Sequence, residues 1–242
     1  MVRMTIASLT LLMLCLVAIP AGTQSPATTK SPSTVVLYNN GPIDGDQDAW
    51  TINYGFAVTD SFFVGPVQAY ASVAAISFGA WLIPNGCATC SLLGDYVSSV
   101  QVQIGTAPFD NSIFDGVVTS WVATNCVANA YGYQLCEETA QFRGPTLTTG
   151  ATYWVTFQNA VVSNSGVANA DPVYWDENSG AGCTSPGCPS LAQENNGVGT
   201  IPSESFTILG NYTSTPNPPA GAASGKNPPG RPGPSALSSS SR

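Results

Sequence analysis

Val97–Gly105 reads VSSVQVQIG. Val100, Val102 and Ile104 alternate with Gln101 and Gln103, the period of two that sends successive side chains to opposite faces of a strand. One face is predicted to be buried and the other wet. Thr152–Val162 carries the same signal, with Tyr153, Val155 and Phe157 on one face opposite Trp154, Thr156 and Gln158. On either side of these stretches lie further short runs of β-branched and aromatic residues, separated by Gly, Pro, Asn and Asp at turn positions. They are Val35–Tyr38, Trp50–Val58, Ser61–Val64, Ser72–Ile83, Gly116–Ala123, Tyr133–Phe142, Val173–Trp175 and Glu204–Leu209. No amphipathic helical pattern separates them, as a parallel α/β sheet would require. The predicted fold is therefore all-β, an antiparallel β-sandwich or jelly-roll-like single domain over 35–210.

The flanking segments differ in kind. Arg3, the apolar stretch Ile6–Ile19 and the small residues Ala21 and Gly22 predict a secretory signal peptide over 1–22. That stretch is shorter than the roughly 20 residues of a membrane span, and no second one follows, so no span is expected in the mature chain. Residues 23–34 read as a flexible Ser/Thr/Pro-rich leader. Residues 211–242 form a Pro/Gly/Ser-rich tail with too little apolar surface to offset ordering entropy, and are expected to be disordered. The expected location is secreted and extracellular.

Charge narrows the function. All fourteen acids of the chain lie between Val35 and Gly210, where Arg143 is the only base. Such a body repels phosphate backbones and anionic lipid, which excludes nucleic acid as a partner. Arg143 is expected to pair with an acid such as Glu137 or Glu138. The chain has no histidine, and its folded body has no lysine, so a Ser-His-Asp triad, a Cys-His pair and a Schiff-base lysine are all unavailable. Only carboxylate chemistry remains. A glycosidase would need two carboxyl groups about 5–9 Å apart across a scissile bond. Glu177 with Glu194 or Glu204 is the pair that folding could bring together.

Six cysteines follow the predicted leader, an even number in an exported protein, and a disulfide framework is the expected use. The spacing suggests three local loops, Cys87 with Cys90, Cys126 with Cys136 and Cys183 with Cys188, although sequence alone leaves the connectivity open. Redox exchange or a zinc site built on Cys87-Ala88-Thr89-Cys90 is the less favoured alternative.

Two segments are candidate sites. Asp171–Gly180 gathers Asp171, Tyr174, Trp175, Asp176, Glu177 and Asn178 within ten residues, the densest polar-aromatic cluster in the chain. An aromatic ring there could stack on a sugar while carboxylate and amide groups bond its hydroxyls. The favoured alternative is that Tyr174 or Trp175 fills the core while Asp176, Glu177 and Asn178 form a turn. Asp44, Asp46 and Asp48 alternate in a Gly-containing loop, the pattern by which oxygen ligands gather around calcium. The EF-hand template fails there, since Ala49 and Gly55 stand where its turn Gly and bidentate Glu belong. Calcium is the one cofactor the sequence leaves open.

Read in order, LYNNGP at Leu37–Pro42, DAWTINYGFAVTDSFFV at Asp48–Val64, ATYWVTFQNAVV at Ala151–Val162, DPVYWDENSG at Asp171–Gly180 and GTIPSESFTILG at Gly199–Gly210 resemble a known family. It is that of secreted bacterial proteins associated with the PEP-CTERM sorting system. The resemblance implies an extracellular β-sandwich with no established activity, from bacteria that build exopolysaccharide-rich matrices. The family's carboxy-terminal sorting tag does not appear in this sequence. The functional expectation is a secreted, non-enzymatic, matrix-associated β-sandwich with extracellular polysaccharide as its candidate partner. The alternatives are a carbohydrate-active hydrolase using paired carboxylates and a purely structural secreted protein.

Overall fold

The computed structural model describes residues 34–83, 96–163, 171–178, 189–195 and 197–216. The chain divides into the units Met1–Pro32 and Ser33–Arg242, and everything described belongs to the second. The predicted signal peptide, the leader up to residue 33, the tail beyond residue 216, and Cys87, Cys90, Cys183 and Cys188 lie outside the described residues. No helix among the described residues is long and apolar enough to cross a membrane.

Fourteen strands are described, in the order β1 (Val35–Asn39), β2 (Ala49–Thr51), β3 (Phe56–Val64), β4 (Tyr70–Leu82), β5 (Tyr96–Gly105), β6 (Phe114–Thr119) and β7 (Val122–Ala128). They continue with β8 (Gln134–Gln141), β9 (Thr146–Thr148), β10 (Ala151–Ser163), β11 (Val173–Asp176), β12 (Ser190–Glu194), β13 (Gly197–Ile201) and β14 (Phe206–Thr213). The first sheet is organised around β4. One edge of β4 pairs with β14 and then β11, the other with β9 and then β8. β1 adds to β14, β2 to β11 and β7 to β8. The second sheet runs β13-β12-β3-β10-β5-β6. These ladders are antiparallel, and the two sheets pack as a β-sandwich, as the alternation predicts.

The core lies between the sheets. Val58 and Phe62 of β3, Val100, Val102 and Ile104 of β5, and Val155 and Phe157 of β10 are fully buried on one side. Ile76 and Phe78 of β4, Trp175 of β11, and Phe206 and Ile208 of β14 meet them from the other. Phe157 is the hinge of this packing, with its ring centroid 4.3 Å from Trp175 and 4.9 Å from Phe78. Burying one such ring stabilises the fold by roughly 1.5–3 kcal/mol. The register of β10 slips between Gln158 and Val161, around Asn159 at φ 50°. That extra residue shifts the inward parity, so Tyr153, Val155 and Phe157 give way to Ala160 and Val162 as the core residues.

Two predicted strands are each split in two. Trp50–Val58 breaks at Ile52–Gly55, where Tyr54 (φ 55°) and Gly55 (φ 90°) turn the chain from the first sheet to the second. Beyond that turn β3 runs unbroken through Asp60 into the predicted Ser61–Val64. Gly116–Ala123 breaks at Ser120 (φ 66°), and Trp121 drops into the core against Phe78 at 5.2 Å. β-branched and aromatic residues on both sides of each break read as one strand, although Asn53 and Gly55 in the first and Thr119-Ser120 in the second are polar or turn-forming. β9, β12 and β13 are short and lack a clear alternation, and the sequence reading omits them.

Cys126 and Cys136 form a disulfide, as their spacing suggests, with Cα atoms 4.1 Å apart. It bridges β7 and β8 at the register shift between Thr124 and Val127. Closing so short a loop is worth about 2–3 kcal/mol in the chain-entropy account. Cys126→Ser/Cys136→Ser is expected to lose about that much in urea unfolding; an unchanged midpoint would show that the hairpin holds without its staple.

Candidate functional site

Strand alternation sorts the Asp171–Asn178 cluster. Val173 and Trp175 point inward, Tyr174 and Asp176 outward. Trp175 is fully buried, its indole Nε1 donating to the Ser205 carbonyl at 2.8 Å and its rings packed on Phe157, Phe206 and Phe78. Its faces are not open to a sugar. Asn178 is held in a turn, its backbone N–H on the Ser203 carbonyl at 2.7 Å, and Gly41 (φ 87°) lies against its side chain with no room for a Cβ. Asp171 anchors the start of the segment by accepting at its carbonyl from Asn53 Nδ2 at 3.0 Å.

Tyr174 is different, because on the outer face of the first sheet it joins a row of rings. Tyr131 stacks on Trp81 at 5.4 Å and 27°, Trp81 meets Tyr133 at 5.6 Å, and Tyr133 meets Tyr174 edge-on at 5.5 Å. Tyr131 is 59% exposed. Tyr54, 54% exposed, stands close enough to Asp171 and Tyr174 for their charges to act on one another. Three elements hold this row. The β7–β8 turn presents Tyr131 and Tyr133 because Asn129 Oδ1 accepts both their backbone N–H groups, at 3.0 and 2.9 Å. Gly132 at φ 85° completes that turn, and the disulfide lies just behind it. Trp81 is fixed from below, its Nε1 donating to Asp176 Oδ1 at 2.7 Å, while Ser205 Oγ donates to Asp176 Oδ2 at 3.0 Å. A Cβ at Gly79 would stand 2.6 Å from that of Asp176, so this close approach requires glycine. Burial lifts the Asp176 carboxyl to about 6, against the pull of the two hydrogen bonds.

No family model, curated protein or solved structure matches this chain. The reading of the site therefore rests on its own geometry.

A second group of polar residues occupies positions that alternation reserves for the core. Asp60 shares the inward face of β3 with Val58 and Phe62, Glu204 precedes Phe206 by two residues, and Glu177 follows Trp175 by two. Glu177 and Glu204 oppose one another across an isolated antiparallel bridge, which brings their backbones together. Glu194 lies apart from it, exposed at the end of β12. Asp60 is saturated with donors. Its Oδ2 accepts from Asn40 Nδ2 (3.0 Å), Ser203 Oγ (2.7 Å) and the Glu204 backbone N–H (2.9 Å), and its Oδ1 from the Ser61 N–H (2.6 Å). Glu177 accepts from Trp50 Nε1 at 2.7 Å. Glu204 is the opposite case, fully buried with neither carboxylate oxygen bonded. Burial, then the charges of Asp60, Glu177, Asp176 and Asp48, push its carboxyl well above the usual range. Burial likewise lifts Glu177, and lifts Glu138 of β8 to about 7.

The Asp44–Asp48 loop closes over this region. Asp44 Oδ1 accepts from the Asp46 N–H at 3.3 Å, Asp48 Oδ1 from the Ala49 N–H at 2.9 Å, and the Asp48 carbonyl from the Glu177 N–H at 2.9 Å. Among the described residues, no three His, Cys, Asp or Glu side chains stand arranged as ligands of a metal ion.

At the opposite end of β4, a groove of about 1180 Å³ is bordered by Tyr70, Phe114, Asp115, Gln141, Phe142 and Arg143. Arg143 is exposed there and makes no ion pair among the described residues, contrary to the expected link to Glu137 or Glu138. Glu137 instead accepts from Asn125 Nδ2, and Glu138 Oε1 from the Val97 N–H. The reading from sequence missed Tyr131, Tyr133 and Trp81, whose row exists only once β4 and β8 pair, and Asp60, whose place in the apolar parity of AVTDSFFV was a visible signal.

Proposed function

We propose that this is a secreted, non-enzymatic β-sandwich protein that binds neutral glycan of an extracellular matrix through the outer-face tyrosine row. The observation that carries the proposal is the chain of four touching rings ending in the exposed Tyr131. Pyranose C–H faces stack on such rings, and tyrosine hydroxyls with Asp171 alongside supply hydrogen bonds to sugar hydroxyls. Rigid aromatic side chains already packed on one another lose little entropy when a ligand arrives. The acidic body favours an uncharged polymer, because an anionic one would approach against its field. The resemblance to matrix-associated secreted proteins is consistent with that partner.

Burial of the Glu177–Glu204 pair favours binding over hydrolysis. Glu204 has no solvent contact at either oxygen, so a glycosidic oxygen cannot reach it in this fold. A panel of neutral glucans, mannans and xylans, with alginate as the anionic control, tests the proposal when retention and reducing-end release are both measured. Retention of a neutral polymer without release is the expected result. Release of reducing ends, or retention of alginate alone, would overturn it.

A further inference from the structure

The buried carboxylates sit in a sandwich whose one base among the described residues, Arg143, lies at the far end of β4. Asp60 is stabilised as an anion by four donors, and Asp176 and Glu177 by indole N–H groups. Glu204 has nothing. A proton would cancel its charge but leave the other oxygen an acceptor without a donor, at a position where polar atoms are nearly always bonded. A cation would cancel the charge and satisfy both oxygens at once.

We propose that Glu204 and Glu177 form the buried half of a divalent-cation site of the calcium class, with Asp48 adding charge on its solvent side. Four observations converge on this. The two glutamates face the same way across their bridge, and Glu204 offers both oxygens. Glu177 uses one oxygen on Trp50 and is 6% exposed where Glu204 is fully buried. Asp48 is exposed, is tied to Glu177 through its carbonyl, and acts electrostatically on both glutamates. The available donors are all oxygens, which select a hard cation over zinc or copper. Two carboxylates are a partial set, and calcium completes its roughly six to eight ligands with carbonyl oxygens and water. The site differs from the Asp44, Asp46, Asp48 triad, in which Asp44 and Asp48 are turned to local backbone N–H groups and Asp46 is exposed.

Calcium chloride titrated into the EDTA-stripped, full-length protein at pH 7.5 and constant sodium chloride tests the proposal. At about 100-fold over Kd the melting temperature is expected to rise by roughly 5–10 °C, with one ion bound per chain by calorimetry. Glu204→Gln should abolish both signals, and Asp46→Ala should keep them. If Glu204→Gln fails to fold, Glu177→Gln serves instead, because its amide oxygen can still accept from Trp50. Identical melting in EDTA and calcium would overturn the proposal. So would a calcium response that survives the glutamate substitutions, or one lost in Asp46→Ala, which would place the ion in the loop.

Discussion

In chelating buffer, melting temperature is expected to fall by on the order of 10 °C between pH 5 and pH 8. The sign follows from the direction of the shifts. A carboxyl whose folded value is raised keeps its proton in the native state after the unfolded chain has released it at about pH 4. Its contribution to stability is undiminished below the unfolded value and is lost as pH rises through the folded value. Glu138 completes that loss near 7 and Asp176 near 6, while Glu177 and Glu204 act in the same direction. The groups facing Glu204 are Asp60, Glu177, Asp176 and Asp48, all acids, so no base counters the trend. Each unit of upward shift costs about 1.4 kcal/mol, and a degree of melting temperature in a domain this size reflects a few tenths of that. Asp110 works oppositely. Hydrogen bonds from Thr106 and Ser112 hold its carboxyl down at about 2, so its contribution is present above the usual range and lost in strong acid. The stability maximum should therefore fall between about pH 4 and 5. A maximum at pH 7 or above would show that the inward carboxylates are neutralised by something other than protons.

Asp60 and Glu204 are neighbours with opposite expected effects. Asp60→Ala removes the acceptor for Asn40 Nδ2, Ser203 Oγ and the backbone N–H groups of Ser61 and Glu204, all buried. Leaving buried donors unpaired costs about 1–3 kcal/mol each, relieved in part where a side chain can turn away. A loss of about 4 kcal/mol in urea unfolding at pH 7 is expected. Glu204→Gln in chelating buffer removes a buried titrating carboxyl whose oxygens have no bonding partner, and should raise the midpoint at pH 8 while flattening the pH slope. If both substitutions destabilised equally at pH 8, Glu204 would hold a partner in solution. If Asp60→Ala cost less than 1 kcal/mol, the network around Asp60 would not be what joins β3 to the segment before β14.

The sandwich is legible in the sequence wherever one face of a strand is clearly apolar. Val100, Val102 and Ile104, and Tyr153, Val155 and Phe157, keep the inward faces their alternation predicts. The burial of Trp175 follows from the same rule applied to Val173 and Trp175, and agrees with the expectation that a ring of the Asp171–Gly180 segment fills the core. The break at Ser120 was not legible, because it rests on a left-handed residue that its neighbours do not demand, whereas Asn53 and Gly55 beside Tyr54 were a turn signal that the flanking apolar residues outweighed. Asp60, Glu177 and Glu204 stand at positions where parity expects an apolar side chain. Such violations mark a site better than polar density does, and that signal was present in the sequence. The tyrosine row was not, since it requires Trp81 of β4 to lie beneath a turn some fifty residues further along the chain.

The central claim is that the outer-face tyrosines, and not the groove at the other end of β4, bind glycan. Calorimetric titration of the neutral polysaccharide most strongly retained in the panel, into the native protein, Tyr131→Ala and Arg143→Ala, tests it most directly. Affinity should fall about tenfold in Tyr131→Ala and be unchanged in Arg143→Ala. Loss in Arg143→Ala with full binding by Tyr131→Ala would contradict the account and move the site to the groove.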